Sequence, residues 1–255
     1  MDVSAKGLRV LVTAGGAGIG RAIASTFLEH GARVQVCDVD DKALASLPKE
    51  IFRVKADVAN LADVDKLFEE VKKNLGGLDV LVNNAGVAGP TAKVEDIKPE
   101  DWDRCIAVDL NGMFYCTRKA MPMIKSAGGG SIINLSSAAG RLAFPMRTPY
   151  SAAKWAVVGF TKSLAIEAGP DKVRVNCIQP GNVEGERIDR VIDAKARAFG
   201  IRAEEMKDRL LDAVSLRTFV SPQDIANMAL FLATGAGRNI TGQALSVCGD
   251  VQRTV

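Results

Sequence analysis

A tyrosine and a lysine that stand four residues apart, Tyr150 and Lys154, are side chains that could take part in acid–base chemistry. Residues at positions i and i+4 of a helix project from the same face. An ordinary phenol has a pKa of about 10 and is a poor base at neutral pH, but a nearby ammonium group favours its phenolate form. The pair could therefore exchange a proton with a substrate oxygen, as a general acid and base does.

A serine thirteen residues before the tyrosine, Ser137, follows a predicted strand that would bring it to the same end of the sheet. Its hydroxyl could donate a hydrogen bond to a substrate oxygen as negative charge develops there. On its own, a Tyr-x-x-x-Lys pair is common on solvated helix surfaces. Together with the glycine turn and the aspartate described next, the serine favours an active site over that interpretation.

A glycine-rich segment, residues 13–20, lies between the first predicted strand and the first predicted helix. Glycines let backbone amides approach a pyrophosphate, and a helix N-terminus offers N–H groups and a favourable dipole. The spacing is not Gly-x-Gly-x-x-Gly, and the lysine of a nucleotide triphosphate loop is absent. Taken alone, the segment could be a purely structural turn.

An aspartate, Asp38, closes the second predicted strand. A carboxylate at that place accepts hydrogen bonds from the adenosine ribose of a dinucleotide and repels the 2′-phosphate of NADP. The neighbours Ala17 and Val39 offer no positive charge to such a phosphate. The pattern predicts an NAD site, although Asp38 could instead cap the following helix. Asp57 and Val58, at the end of the third predicted strand, could meet the adenine edge.

The elements that must position these residues alternate between β-branched apolar runs and segments of helical period. Strands are predicted at 9–13, 34–38, 52–57, 80–82, 131–135, 173–178 and 244–247, and helices at 21–30, from 40, from about 60, at 99–125, at 151–168 and from 221. Continuous apolar strands separated by helices indicate a parallel sheet covered on both faces. The predicted fold class is α/β: a Rossmann-type doubly wound parallel sheet of about seven strands in a three-layer α/β/α arrangement.

No repeat, low-complexity tract or linker interrupts this pattern, so residues 1–255 are predicted to form one domain. Residues 183–220 are helical in period, highly charged and inserted before the last predicted helix. The insert is therefore a candidate lid over a substrate site.

The composition, 47% hydrophobic and 25% charged with a net charge of +3, is that of a globular protein. Because acidic and basic residues are interleaved, nucleic acid is not an expected partner. The five cysteines are far apart and His30 is the one histidine, so no metal site is predicted. The odd cysteine count suits a reducing compartment, and the first apolar run is too short for a signal peptide or membrane span. We expect a soluble, cytoplasmic protein without a membrane partner.

These motifs, in this order, resemble those of the short-chain dehydrogenase/reductase family, in its group of about 250 residues with a glycine-rich cofactor loop. The matching pieces span essentially the whole chain: residues 13–20, Asp38, Asp57, 83–86, Asn111, 136–137, Tyr150 with Lys154, 180–181 and 240–243. Two positions depart from the family pattern. Ala14 replaces its first glycine, and Gly185 replaces a threonine that contacts the nicotinamide amide.

The resemblance implies an NAD-dependent oxidoreductase that moves a hydride reversibly between its cofactor and a secondary alcohol and ketone, or an aldehyde. It implies a catalytic set of Asn111, Ser137, Tyr150 and Lys154, in which Asn111 would disturb its helix and hold a water linking Lys154 to solvent. It places the cofactor against Gly16, Ala17, Gly18, Ile19, Gly20, Asp38, Asp57, Val58, Asn84, Ala85, Gly86, Tyr150, Lys154, Pro180, Gly181 and Val183. Because family members commonly form tetramers through the helices at 99–125 and 151–168 and the last strand, a homotetramer is expected, with a dimer as the alternative.

The substrate pocket is expected between residues 138–148, residues 87–91 and the insert after Val183. Guanidinium groups there could clamp a carboxylate, so Arg147 and Arg187 are predicted to bind the substrate together with Ser137 and Tyr150. This predicts a small-molecule substrate that is anionic or polyhydroxylated. Acidic residues interleaved with the arginines leave a 3-oxoacyl thioester, a steroid or a xenobiotic ketone as alternatives.

Two further functions remain open at this point. A non-catalytic NAD-binding protein is disfavoured by the intact catalytic set. A short-chain epimerase or dehydratase is disfavoured because such enzymes usually carry a longer C-terminal substrate domain.

Overall fold

The computed structural model describes residues 3–254 and is built on a seven-stranded, all-parallel sheet. Its strands are β1 (Arg9–Thr13), β2 (Arg33–Asp38), β3 (Phe52–Lys55), β4 (Val80–Asn83), β5 (Gly130–Leu135), β6 (Val173–Pro180) and β7 (Ala244–Val247). The strand order is β3-β2-β1-β4-β5-β6-β7, so the direction of winding reverses between β1 and β4. A doubly wound sheet binds its ligands beyond the carboxyl ends of the strands at this reversal. The predicted fold class is confirmed.

Helices cover both faces of the sheet within the described residues. They are α1 (Gly18–Glu29), α2 (Asp41–Ala45), α3 (Leu61–Leu75), α4 (Pro99–Ile106), α5 (Gly112–Ser126), α6 (Thr148–Ala168), α7 (Glu186–Phe199), α8 (Ala203–Asp212) and α9 (Pro222–Ala233). No helix in residues 3–254 is both long and apolar enough to cross a bilayer.

The two faces of the sheet pack into separate apolar clusters because successive residues of a strand point to opposite sides. From β1, Val10 and Val12 pack with Phe27 of α1 on one face. Leu11, between them, packs with Leu67 of α3 on the other face. This is why the strands of a covered parallel sheet read as unbroken apolar runs.

Side-chain and glycine caps set several helix boundaries. Asn60 accepts hydrogen bonds from the first turn of α3, and Gly76, with φ of 75°, ends that helix in the left-handed conformation. At α9, Ser221 and Asp224 form a reciprocal capping box.

The predicted helix at 99–125 is interrupted by a turn of π-helix, residues Ala107–Asn111, between α4 and α5. A π turn inserts one extra residue into the helical repeat and is frequent at functional sites. The disturbance expected around Asn111 is therefore present.

The insert at 183–220 consists of α7, α8 and their connections, and a parallel bridge between Val183 and Val220 closes its base. All five cysteines are buried and unbridged. Within residues 3–254, no group of three or more His, Cys, Asp or Glu side chains could hold a metal ion.

Candidate active site

A cavity of about 720 Å³ opens at the carboxyl ends of β1, β4, β5 and β6. This volume is in the usual range of small-molecule sites. The glycine turn lines one part of the cavity, and Ser137, Tyr150 and Lys154 line another. At the end of β6 and in the insert, residues 180–188, Arg190, Val191 and Lys195 contribute to its wall.

Tyr150 and Lys154 lie one turn apart near the start of α6, with the lysine Nζ 5.5 Å from the centre of the tyrosine ring. Lys154 is only 4% exposed. Its Nζ donates a hydrogen bond of 3.1 Å to the carbonyl of Leu135, the last residue of β5. The ammonium group is thereby attached to the end of the central sheet.

The serine that faces the cavity is distinguished from its neighbour by its hydrogen bonds. Ser136 is buried, and its Oγ donates to the carbonyl of Lys154 at 2.8 Å, so it serves the packing of α6. Ser137 lines the cavity, and its Oγ accepts from the backbone N–H of Ala139 at 3.1 Å. The Ser137 hydroxyl is therefore still able to donate its own proton in a hydrogen bond to a group in the cavity.

The residue beside Lys154 is Asp109, not the predicted Asn111. Asn111 is exposed at the end of the π turn, whereas the side chain of Asp109 is 0% exposed. Asp109 Oδ1 accepts from the N–H of Val87 at 2.6 Å, and its Oδ2 lies 3.4 Å from Lys154 Nζ. The predicted placement of Asn111 is corrected accordingly.

Sequence reasoning missed Asp109 because two candidate polar residues stand two positions apart on one helix. The two residues lie on different sides of the turn, and the packing of that turn against α6 decides which of them meets Lys154. The available signal was Asp109 itself, an acidic residue in the apolar stretch 106–110.

The Asp109–Lys154 contact is an attraction of charges rather than a well-formed hydrogen bond. Asp109 Oδ2 lies at ion-pair distance from Nζ but has no hydrogen-bond partner among the described residues. Burial would make either charge costly alone, and together they compensate one another. The carboxylate thus helps to keep a charged amine below the surface near Tyr150.

Three positive charges surround the Tyr150 ring. Its centre lies 5.0 Å from the Arg147 guanidinium carbon, 5.5 Å from Lys154 Nζ and 5.9 Å from the Arg187 guanidinium carbon. Arg147 is 3% exposed and donates to the carbonyl of Ala88, and Arg187 donates to the carbonyl of Gly86 at 3.0 Å. These cations favour binding of an anionic group beside the ring.

The N-terminus of α1 is open to the cavity. Ala17 precedes the helix without a side-chain cap, and the first turn contains no acidic residue. Gly18 has φ of 52°, and a Cβ placed on it would meet no atom within 4 Å. Free N–H groups at a helix N-terminus suit a pyrophosphate.

Asp38 lines the cavity at the end of β2. Its Oδ2 accepts from the N–H of Gly16 at 2.9 Å, and its Oδ1 accepts from the N–H of Asp40 at 3.1 Å. The cap of α2 is Asp40, which accepts from the N–H groups of Lys42 and Ala43. The alternative role of Asp38 as that helix's cap is therefore wrong.

The glycine turn is tied to the end of β4. Asn84 Nδ2 donates to the carbonyls of Thr13 and Ala14, each at 3.0 Å, while Thr13 Oγ1 accepts from the N–H of Ala85 at 2.9 Å. Ala14 has φ of 49°, a left-handed conformation that costs an ordinary residue about 1 kcal/mol. The bond from Asn84 helps to hold this strained alanine where the family pattern has a glycine.

Most of the predicted site residues share the cavity wall, and a few do not. The wall includes Ala17, Gly18, Ile19, Gly20, Asp38, Asn84, Gly86, Ser137, Arg147, Tyr150, Lys154, Pro180, Gly181, Val183 and Arg187. It does not include Gly16, Asp57, Val58, Ala85 or Asn111. Asp57 forms an ion pair of 2.9 Å with Arg104, and Val58 is buried against Gly112. Gly185, with φ of 124°, lines the cavity where α7 begins.

Comparison with known proteins identifies the family. The family model described as "Enoyl-(Acyl carrier protein) reductase" matches residues 13–250. The D-beta-hydroxybutyrate dehydrogenase of Rhizobium meliloti (strain 1021) is 34% identical over 94% of this chain and 96% of its own length.

Two solved structures are similar over nearly the whole chain. The 3-ketoacyl-(acyl-carrier-protein) reductase from Brucella melitensis, complexed with NADH, has a TM-score of 0.87 and 31% identity, covering 98% of this chain and 100% of its own. A single-residue variant of the actinorhodin polyketide ketoreductase, with NADPH, has a TM-score of 0.91 and 31% identity, covering 95% of this chain and 96% of its own.

The chain belongs to the short-chain dehydrogenase/reductase family, as its motifs predict. Within that class, it is a nicotinamide-dependent oxidoreductase that interconverts an alcohol and a carbonyl group.

Replacing Asp109 tests its role as the buried counter-charge. Asp109→Asn removes the negative charge but keeps an oxygen that can accept from Val87. Because losing one partner of a buried ion pair leaves the other charge uncompensated, we expect the free energy of unfolding to fall by about 3 kcal/mol in denaturant titrations.

The matched control is Asp65→Asn, which removes the partner of Lys119 in an exposed ion pair. This change should cost less than about 1 kcal/mol. Equal losses in the two variants would show that Asp109 contributes no more than a surface carboxylate.

Proposed function

We propose that this protein is an NAD-preferring dehydrogenase of small secondary alcohols that carry a carboxylate, with Tyr150 exchanging the proton of the hydroxyl group. The observation that carries this proposal is the cation cluster around Tyr150. Arg147, Lys154 and Arg187 all lie within 6 Å of its ring in one cavity.

In the direction of alcohol oxidation, Tyr150 Oη takes the hydroxyl proton of the substrate. Ser137 donates a hydrogen bond to the same substrate oxygen and so orients it. Lys154, held by Leu135 and Asp109, places a positive charge beside the phenol. A bound nicotinamide would accept the hydride from the carbinol carbon of the substrate. In the direction of reduction, Tyr150 returns the proton to the carbonyl oxygen.

The residues fit a nicotinamide dinucleotide. The uncapped start of α1, with Gly18 open to the cavity, would hold the pyrophosphate. Asp38 would accept from the adenosine ribose hydroxyls and repel a 2′-phosphate, which favours NAD over NADP. The remaining cofactor contacts that we propose are Gly16, Ala17, Ile19, Gly20, Asp57, Val58, Asn84, Ala85, Gly86, Tyr150, Lys154, Pro180, Gly181 and Val183.

The substrate class follows from Arg147 and Arg187, which we assign to substrate binding with Ser137 and Tyr150. A guanidinium group binds a carboxylate through charge-assisted hydrogen bonds. The name of the similar Rhizobium meliloti enzyme refers to a hydroxy acid, which agrees with this assignment. A 3-oxoacyl thioester, suggested by the similar Brucella melitensis reductase, carries no charge close to its reacting carbonyl and needs no such cluster.

We propose that the enzyme acts in the cytoplasm, because five buried, unbridged cysteines suit a reducing compartment. We also propose a homotetramer, with a dimer as the alternative. Phe114 on α5 and Trp155 and Ile166 on α6 are large apolar residues that are 44%, 51% and 81% exposed. Such side chains suit an interface between copies.

Light scattering measures the assembly directly. We expect the mass of four chains for the wild type. Trp155→Glu should lower it, because a charge at the centre of an apolar interface stays unpaired. Glu167→Gln, a change on the same helix that introduces no charge, should leave the mass unchanged. A monomeric wild-type protein would overturn the proposal.

The role of Tyr150 is tested by Tyr150→Phe, which removes only the phenolic oxygen. We expect kcat to fall about a thousandfold or more because the proton has no acceptor. Cofactor binding, followed by the fluorescence of the reduced nicotinamide, should be retained. Tyr115→Phe is the matched control, since Tyr115 is the only other tyrosine. Substantial turnover by Tyr150→Phe would refute the mechanism.

The role of Asp38 is tested by cofactor preference. We expect the wild type to have a kcat/KM for NAD at least about tenfold above that for NADP. Asp38→Ser with Val39→Arg should reverse the preference, because it removes the repelling charge and adds an attracting one. Asp40→Ser, which alters only the cap of α2, should leave the preference unchanged. A wild-type preference for NADP would contradict the assignment.

A further inference from the structure

The segment that follows β7, residues 248–254, contributes to the wall of the catalytic cavity. Gly249 and Asp250 have φ of 61° and 62°, so the chain turns sharply in the left-handed conformation soon after the strand ends. A Cβ on Gly249 would lie 2.9 Å from Val214 Cγ1, and the absence of a side chain there permits this close approach. The residues of the segment that line the cavity are Val251, Arg253 and Thr254.

Backbone hydrogen bonds fasten the 248–254 segment to the chain that follows α8. The N–H of Ser215 donates to the carbonyl of Asp250 at 3.0 Å. Val214 and Val251 form an antiparallel bridge beside this bond. The segment is therefore attached to the insert at 183–220, the candidate lid, as well as to the sheet.

Arg141 fastens the same segment to the loop that carries the catalytic serine. It ends a short 3₁₀ turn, Ala138–Gly140, which begins directly after Ser137. Its Nη2 donates to the carbonyl of Val251 at 2.9 Å and lies 3.4 Å from Cys248 Sγ. Because these partners are more than 100 residues away in the chain, one guanidinium group joins two distant parts of the cavity wall.

A second contact brings the 248–254 segment close to the catalytic tyrosine. The Thr254 hydroxyl donates to the carbonyl of Ala143. The next residue, Phe144, also lines the cavity, and its ring lies 6.4 Å from the ring of Tyr150. The segment therefore lies at the substrate end of the cavity and not at the glycine turn.

The wall is apolar at Val251. This side chain is 6% exposed and packs in a small apolar cluster with Ala138. Leu210 and Ala213, at the end of α8, are buried residues that line the same cavity. Such a wall contacts the hydrocarbon part of a substrate, and moving it outward would break the hydrogen bonds that hold the segment.

We propose that the 248–254 segment forms the wall that limits the chain length of the substrate, and that Arg141 is the positioning residue that holds this wall in place. Val251 is then a residue that determines specificity: a short carbon chain ends at it, and a longer one collides with it. The inference rests on the proposed function, because it takes the reacting oxygen of the substrate to lie at Ser137 and Tyr150. It adds a limit on size to the proposed substrate class.

The experiment compares substrates that differ only in chain length. One pair is 3-hydroxybutanoate and 3-hydroxyoctanoate, and a neutral pair is 2-butanol and 2-octanol. Both members of a pair react at Tyr150, so the ratio of their kcat/KM values reports on the far end of the pocket. We expect the wild type to prefer the four-carbon member at least about tenfold.

Arg141→Met releases the wall without touching the groups of the reaction. We expect the preference for the four-carbon member to fall at least about tenfold. The kcat for 3-hydroxybutanoate should change less than about twofold, because Lys154 keeps its partners Leu135 and Asp109. A change in KM and in chain-length preference with little change in kcat is not expected from a general loss of stability.

Two variants make the result specific. Arg141→Lys should recover most of the preference, because an ammonium group can donate to the carbonyl of Val251. Arg174→Met is the matched control: Arg174 is also half-buried and donates to backbone carbonyls, those of Gly237 and Ala233, but it does not line the cavity. Its chain-length preference should equal that of the wild type.

The position of the segment can also be followed without substrate. Cys248 is 6% exposed, and its Sγ accepts from the N–H of Val251 at 3.5 Å. In Arg141→Met we expect iodoacetamide to alkylate Cys248 at least about ten times faster than in the wild type, because the segment opens more often. Mass spectrometry of the peptide that contains Cys248 measures this rate.

The outcomes separate this inference from the proposed function. A wild type that oxidises only the neutral pair would show that the proposed substrate class is wrong, while the neutral pair would still test the wall. Equal use of both chain lengths by the wild type, or an unchanged preference in Arg141→Met, would overturn the assignment of the wall alone. If the wild type oxidises neither pair, the proposed function is refuted, and equal alkylation rates of Cys248 would overturn the role of Arg141.

A further variant decides the matter if Arg141→Met does not fold. Val251→Ala removes two methyl groups from the wall but keeps the carbonyl that Arg141 binds. We expect it to lower the preference for the four-carbon member at least about threefold. An unchanged preference in this variant would overturn the role of Val251.

Discussion

The proposed catalytic arrangement depends on the two contacts that hold the buried ammonium group of Lys154. Its ammonium group is held by a carbonyl at the end of β5 and by Asp109 from the π turn, while its side chain comes from α6. Because a buried charge without partners is costly, these three elements must keep their relative positions. Tyr150, one turn away on α6, is thereby positioned by the same contacts.

The sheet could be predicted from the sequence because its signals are local. Apolar runs mark β1 and β7 at their observed bounds, Asn60 caps α3, and Ser221 with Asp224 begins α9. A parallel sheet with this winding then brings the ends of its strands to one edge. The glycine turn, Asp38, Ser137 and Tyr150 could therefore be assigned to one cavity although they are far apart in the chain.

The residues that sequence reasoning missed depend on tertiary contacts. Asp109 and Asn111 occupy different sides of one helical turn, and only Asp109 is buried beside Lys154. Lys195 stands in a helix of interleaved charges, where Glu186 and Arg190 are indeed exposed. Only the packing of α7 shows that Lys195 faces the cavity. Helical periodicity describes one helix and not the neighbours that cover it.

The groups that line the cavity are held by two different parts of the fold. The groups that we assign to the reaction itself, Lys154, Ser137 and the glycine turn, are hydrogen-bonded to strand ends or follow them directly. Those that we assign to the substrate, Arg147 and Arg187, come from a loop and from the candidate lid. A change in the loop or lid leaves the hydrogen bonds of the sheet intact. The substrate can therefore differ between enzymes of this fold while the site of proton and hydride transfer stays the same. This is the physical reason that relatives named for a hydroxy acid and for a 3-ketoacyl group can share the fold.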